Sequence, residues 1–176
     1  MLYNKGFTLL ELLTTMAIVS ILFSVAIPSL YGTLQSQQRL QVYDELNRLI
    51  HYTRSRAAFS TSDVILCPTK NKIHCINNWQ MPIMVFIDKN KNRRRDNEEP
   101  IDRIKTVSLN DYTITWRASA TSRYLRYARD GSTEYQNGTF TLCPIPSNIK
   151  DIRKLIVYFS GRVREATKNE VKLSDC

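Results

Sequence analysis

The sequence predicts an α+β protein in which one long N-terminal helix precedes an antiparallel β-rich domain. Three observations predict it. From residue 7 to about 59 the only proline is Pro28 and the only glycine is Gly32, so little opposes a continuous helix. Beyond Ser60 the pattern changes to short β-branched and aromatic runs, separated by clusters such as Asn77-Asn78, Asp130-Gly131 and Asn137-Gly138. Within that helix, nothing between the membrane half and the half packed on the globular domain reads as a flexible linker.

The first element divides in two. Residues 7–34 carry no charge except Glu11 and form an apolar segment long enough to cross a bilayer. A carboxylate inside such a segment is expensive and usually marks a function, although near one end it can also snorkel to the headgroups. Pro28 predicts a kink or local melting. Residues 35–59 continue as an amphipathic helix. Leu40, Tyr43, Leu46, Ile50 and Ala57 recur at three- and four-residue steps, with Gln37, Gln38, Gln41, Asp44, Asn47 and Arg48 between them. Residues 60–176 form the β-rich part, with strands expected at 64–67, 81–87, 101–108, 112–116, 124–127, 139–143 and 155–159. Trp79, Phe86, Trp116, Phe140, Tyr158 and Phe159 supply core or interface aromatics.

The head of the chain is more specific. Gly6-Phe7-Thr8-Leu9-Leu10-Glu11 closely resembles the class III leader of type IV pilins and pseudopilins. A secretory peptide would instead place a small-residue cleavage site after the apolar region. The resemblance implies a type IV pilin-like fold and a prepilin peptidase that cuts after Gly6, removes residues 1–6 and methylates Phe7. It implies that the apolar helix first anchors the chain in the inner membrane, with residues 35–176 periplasmic. The same helix then enters a filament core on the cell surface, where Glu11 pairs with the N-terminal amine of a neighbouring subunit. The implied partners are other major and minor pilins.

Composition bounds the rest. Loss of Lys5 with the leader lowers the formal charge from +9 to +8, and every remaining basic residue lies beyond Leu34. Such a domain favours anionic partners. Four cysteines in a domain that the leader places outside the cytoplasm argue for two disulfides rather than a metal site. Cys67–Cys75 closes a short Pro/Asn/Lys loop and Cys143–Cys176 ties down the C-terminus. The twin Leu-Cys-Pro contexts at 66–68 and 142–144 leave a Cys67–Cys143 cross-link open.

No catalytic constellation is present. His51 and His74 lie in unrelated contexts, and there is no nucleophile elbow, phosphate loop or HExxH. Neither an enzyme activity nor a cofactor or metal is expected. Asp88, Asn90, Asn92 and Glu99 do fall at places 1, 3, 5 and 12 of an EF-hand-like loop. Arg93, however, stands where that loop needs glycine, and Lys89, Lys91 and Arg93–Arg95 crowd it, so a solvated connection between strands is expected.

The tail points to a cargo. In Gly161-Arg162-Val163-Arg164, arginines at i and i+2 of an extended backbone point to one side. Gly161 removes a side chain where a bulky polyanion approaches, and guanidinium groups suit bidentate phosphate contact. Lys168 and Lys172 extend the same footprint, while Glu165, Glu170 and Asp175 moderate its charge. The segment resembles the Gly-Arg-x-Arg motif of the FimT members of the GspH/FimT pseudopilin family, minor pilins linked to DNA uptake in natural transformation. The Cys67…Cys75…Trp79…Phe86 order, the Asp88 turn and Leu142-Cys143 fit the same family. The resemblance implies double-stranded DNA as a partner, Arg162 and Arg164 as its contacts, and Gly161 as the residue that shapes the turn. Arg93, Arg94 and Arg95, where that family more often has glycine, widen the candidate surface. Two other readings remain: a structural pseudopilin of a type II secretion system, and an adhesin that meets acidic surface polymers.

Overall fold

Helix α1 (Leu9–Ala58) starts at a reciprocal cap. The Thr8 N–H donates to Glu11 Oε2 at 2.9 Å, and the Glu11 N–H donates to Thr8 Oγ1 at 3.3 Å. Two backbone donors that a helix start leaves orphaned are thereby satisfied. Glu11 thus has a local role in the single chain besides the expected one in assembly. The structure is a computed structural model that describes residues 8–107, 112–119, 121, 123–146 and 148–176, without the side chains of 28, 29, 31–36 and 38–40. Gly6 and Phe7 lie outside the described residues. Helix α1 runs unbroken through Pro28, so the local melting expected there is not seen.

The chain divides into two compact units, Met1–Leu40 and Gln41–Cys176. In the first, Leu9–Ile27 is long and apolar enough to cross a membrane, and its large apolar side chains are exposed. In the second, Val42, Leu46, Leu49, Ile50 and Ala57 line the buried face of α1. Leu46, Ile50 and Ala57 belong to the stripe read from the sequence. Val42 and Leu49 widen it, as a core-facing helix requires.

Among the described residues eight strands follow: β1 (Asp63–Pro68), β2 (Ile83–Asp88), β3 (Ile101–Lys105), β4 (Tyr112–Ala118), β5 (Leu125–Tyr127), β6 (Gly138–Pro144), β7 (Arg153–Val157) and β8 (Val163–Glu165). They form two antiparallel sheets rather than one, ordered β3-β2-β1-β5 and β4-β6-β7-β8. Each expected strand has a counterpart within a few residues. The expected end of β3 at residue 108 lies outside the described residues, and β8 was not anticipated.

Both sheets and α1 enclose one core. Trp79, Trp116 and Phe140 sit at its centre, with Trp116 stacked on Phe140 at a centroid distance of 4.2 Å and Trp79 edge-on to Phe140 at 4.8 Å. Such aromatic geometry adds to the area each ring removes from water. Strand β1 is buried along its whole length because Ile65 and Cys67 on its other face join Met84 and Phe86 in a second cluster, against which Cys75, Ile101 and Tyr124 pack. That accounts for its continuous apolar run in place of alternation. Disulfides join Cys67 to Cys75 and Cys143 to Cys176, which leaves no cysteine for a Cys67–Cys143 link.

Candidate nucleic-acid interface

Strands β7 and β8 form a hairpin whose turn contains Gly161. The Gly161 N–H donates to Tyr158 O at 2.8 Å and the Tyr158 N–H donates to Arg162 O at 2.9 Å. Gly161 adopts φ +75°, the left-handed region, and is buried. A Cβ there would stand 1.8 Å from the Gly131 carbonyl oxygen and 3.1 Å from Arg54 Nε. The residue is therefore glycine because the backbone after β5 packs against it, not because an outside ligand must approach. This corrects the expectation that Gly161 belongs to the contact surface itself; its part is to shape the turn.

The turn is braced on several sides. Arg54, on α1, donates from Nε to Gly131 O at 3.1 Å and from Nη2 to Ser160 O at 3.2 Å, joining the helix to both loops. The Thr133 N–H donates to Phe159 O at 2.9 Å, and Thr133 Oγ1 donates to Gln136 O at 2.6 Å. Neither Arg54 nor Thr133 stood out in the sequence, because their role exists only once loops far apart in the chain have met.

The two arginines of the motif share a side. Arg164 is cross-strand from Ile156, whose neighbours Leu155 and Val157 face the core, so Arg164 and Arg162 project outward. Their guanidinium carbons lie 5.7 and 5.4 Å from the centroid of the Tyr158 ring, which sits beneath both. That distance suits a cation–π contact. Their circumstances differ, however. Arg162 is exposed and forms no ion pair among the described residues. Arg164 donates from Nε to the Tyr158 hydroxyl at 2.8 Å and grips Glu170 with two hydrogen bonds, Nη2 to Oε1 at 2.7 Å and Nη1 to Oε2 at 2.8 Å. Arg164 pulls the Glu170 carboxyl well below the usual carboxylate range, helped by the Thr167 N–H. Glu170, expected only to moderate the charge of the tail, thus engages Arg164 directly and leaves Arg162 the more open of the two.

The tail after β8 lies alongside. The Ala166 N–H donates to Lys154 O at 3.0 Å, and Lys154 Nζ reaches Asp175 at 2.5 Å and the Glu170 carbonyl at 3.0 Å. With Cys143–Cys176, these ties fasten the tail on the β7 side of the sheet. Lys168 and Lys172 are exposed on two separate 3₁₀ turns rather than one regular element, and the charge of Lys172 acts on Asp175.

The β2–β3 connection holds Arg93, Arg94 and Arg95. Asp88 pairs with Asp63 and Tyr127 pairs with Val64, so this connection and the chain leading to Gly131 leave their sheet at the same end. Arg93 and Arg94 are exposed there, as is Arg129. Arg95 is not: its Nε donates to Glu99 O at 3.0 Å and its Nη1 to Lys72 O at 3.3 Å, binding the connection to the Cys67–Cys75 loop. Arg95 therefore holds structure, while Arg93 and Arg94 remain available for a polyanion.

Comparison with known proteins agrees with this architecture. The family model of the type II transport protein GspH matches residues 43–161, and that of the prokaryotic N-terminal methylation motif matches residues 1–27. No curated protein matches the chain. Among solved structures, the type IV minor pilin FimU of Pseudomonas aeruginosa strain PAO1 is similar in two crystal forms. One has a TM-score of 0.59 at 16% identity over 78% of this chain and 95% of FimU. The other has a TM-score of 0.54 at 15% identity over 76% and 96%. At such identities the likeness establishes the fold, that of a type IV pilin, while the family model spans more than half the sequence: the chain belongs to the GspH family and bears the methylation motif at its head.

Proposed function

We propose that this chain is a minor pilin that joins a type IV pilus and binds double-stranded DNA, irrespective of sequence, for uptake in natural transformation. Residues 7–34 anchor it in the inner membrane until cleavage after Gly6, methylation of Phe7 and pairing of Glu11 bring it into the filament. The observation that carries the DNA reading is the braced β7–β8 hairpin, which holds Arg162 and Arg164 on one outward side over Tyr158. Guanidinium groups so held suit phosphate oxygens, and no base-reading element accompanies them, so backbone contacts dominate.

The test is a titration of the full chain in detergent with unrelated duplexes at several salt concentrations. Binding is expected to be indifferent to sequence, and Arg162→Gln/Arg164→Gln should flatten the plot of log K against log salt by about 2. Absence of binding at low salt, or an unaffected double variant, would sink the reading. A second reading is favoured by the family match to a type II transport protein. In it, the chain is a structural pseudopilin and the hairpin merely completes the sheet. Deleting the gene separates the two, since loss of transformation with secretion intact supports only the first.

A further inference from the structure

We propose that the β2–β3 connection, residues 88–99, is a low-affinity calcium site with Asp88 Oδ1 as its anchoring ligand. Asp88 ends β2 and is 0% exposed, yet its Oδ1 accepts no hydrogen bond. Its Oδ2 accepts the Arg93 N–H at 2.9 Å, and the N–H groups of Lys91 and Asn92 also face the carboxylate, which therefore points into the connection. A buried carboxylate oxygen without a partner is unfavourable unless a charge meets it. The basic side chains nearby do not supply one. Those of Lys89, Lys91, Arg93 and Arg94 are exposed, Arg95 is turned to main-chain carbonyls, and none ion-pairs with Asp88 among the described residues. Instead a second carboxylate, Glu99, is buried at 3% exposure, and its charge adds to burial in raising the Asp88 pKa.

The remaining oxygens fit a calcium loop. Counting from Asp88, Asn90, Asn92, Asp96 and Glu99 occupy places 3, 5, 9 and 12, the places that supply ligands in an EF-hand. The objection that Arg93 replaces the glycine of place 6 loses force, because Arg93 adopts φ +64° there. Asn90 Oδ1 accepts the Asn92 N–H and Asn92 Oδ1 the Arg94 N–H, which leaves each amide oxygen a further lone pair.

Among the described residues no three acidic, histidine or cysteine side chains already converge as a cage. Calcium would gather a mixed set: Asp88 Oδ1, the two amide oxygens, water, and Asp96 or Glu99 turned inward. Asp96 now accepts both asparagine amides, at 2.7 and 2.8 Å, and Glu99 accepts the N–H groups of Lys89 and Asp96, so these bonds exchange for the ion. A flexible site of oxygens suits calcium over magnesium, which demands a near-ideal octahedron. With five basic residues around it, its Kd belongs at the weak end for such loops, on the order of 10⁻⁴–10⁻³ M, as in extracellular modules.

The test is thermal unfolding of the full chain in detergent, stripped with EDTA and followed by the fluorescence of buried Trp79 and Trp116, with calcium, magnesium or sodium chloride at matched ionic strength. At ten times Kd, calcium should raise Tm by roughly 3–6 °C and the other salts should not. Asp88→Asn keeps an acceptor for the Arg93 N–H and removes the buried charge. It should match or exceed the parent in EDTA and lose the calcium response. Asn92→Ala, at an exposed position, should weaken calcium binding severalfold in calorimetry even if the Asp88 variant fails to fold. No calcium shift, an equal magnesium shift, or variants that respond like the parent would overturn the proposal.

Discussion

Glu170→Gln is expected to strengthen DNA binding, and the geometry sets how much. Glu170 holds both terminal nitrogens of Arg164 at 2.7 and 2.8 Å, the two-pronged arrangement a phosphate would otherwise take. A DNA phosphate at Arg164 must therefore displace a carboxylate already in place, whereas one at Arg162 meets none among the described residues. The pair is open to solvent, with side-chain exposures of 32% and 40%, so the competition is weak, and its removal should raise affinity about two- to fivefold at low salt. Phosphate meets Arg164 in both proteins, so the salt slope should change by less than about 0.9, the step expected for one whole contact. Glutamine keeps an oxygen for the Thr167 N–H, which Glu170 accepts at 2.8 Å, so the tail should stay folded. Fluorescence anisotropy with a labelled duplex measures both quantities. Glu165→Gln is the control: it changes net charge equally, but its partner is Arg153. If the two variants behave alike, net charge is the cause and the specific competition is refuted. If Glu170→Gln binds no better than the parent, the hairpin is not the contact surface.

Other expectations follow from the same contacts. Gly161→Ala should lower stability by about 2 kcal/mol or more in a thermal melt, since the Cβ meets the Gly131 oxygen and the residue keeps its left-handed φ. Replacing Cys143 and Cys176 by serine opens a loop of 33 residues and should remove about 4 kcal/mol by loop-closure entropy, read in denaturant melts. Phe140→Ala should remove about 3–5 kcal/mol, because the ring is fully buried between Trp79 and Trp116. Glu170 has a depressed pKa, so its pairing contributes stability above the unfolded value near 4.5 and loses it as pH falls through the lower folded value. Carboxyl shifts measured by NMR should therefore show Glu170 still ionised below pH 4.5, where an unpaired glutamate is mostly protonated. Asp88 has the opposite sign: protonation is favoured in the fold, so without a cation its contribution is lost as pH rises through the raised pKa, and Asp88→Asn should flatten that loss.

What was legible in the sequence is what local pattern encodes. The stripe of Leu46, Ile50 and Ala57 follows from 3.6-residue periodicity, and β1, β2, β4 and β6 from apolar runs bounded by turn residues. Strand β8 was missed for a physical reason. Val-Arg-Glu offers no apolar alternation, and the strand exists because its backbone pairs with β7, as in Leu155 opposite Glu165. The split into two sheets was equally hidden. It depends on β5 joining β1 across sixty residues of chain, which no short window contains. At the candidate site, Arg162 and Arg164 were found by spacing, whereas Arg54, Gly131 and the grip of Glu170 on Arg164 are long-range contacts.

Those contacts change what the Gly-Arg-x-Arg segment means. Its residues have separate tasks: Gly161 closes the turn on Gly131, Tyr158 supplies the platform, Arg162 stands open, and Arg164 arrives already neutralised by Glu170. Bracing by Arg54 and Thr133 lowers the entropy that binding must remove, which favours contact. Exchange of Glu170 for a phosphate at Arg164 gains little net energy, because one exposed anion replaces another. The two effects together predict weak binding by one domain, weakened further by salt. Useful retention of DNA then has to come from several copies on one filament, where each further contact is made at high effective concentration. If the proposed DNA binding holds, a filament supplies that arrangement and a free monomer does not, so the N-terminal helix would serve the basic hairpin by multiplying it.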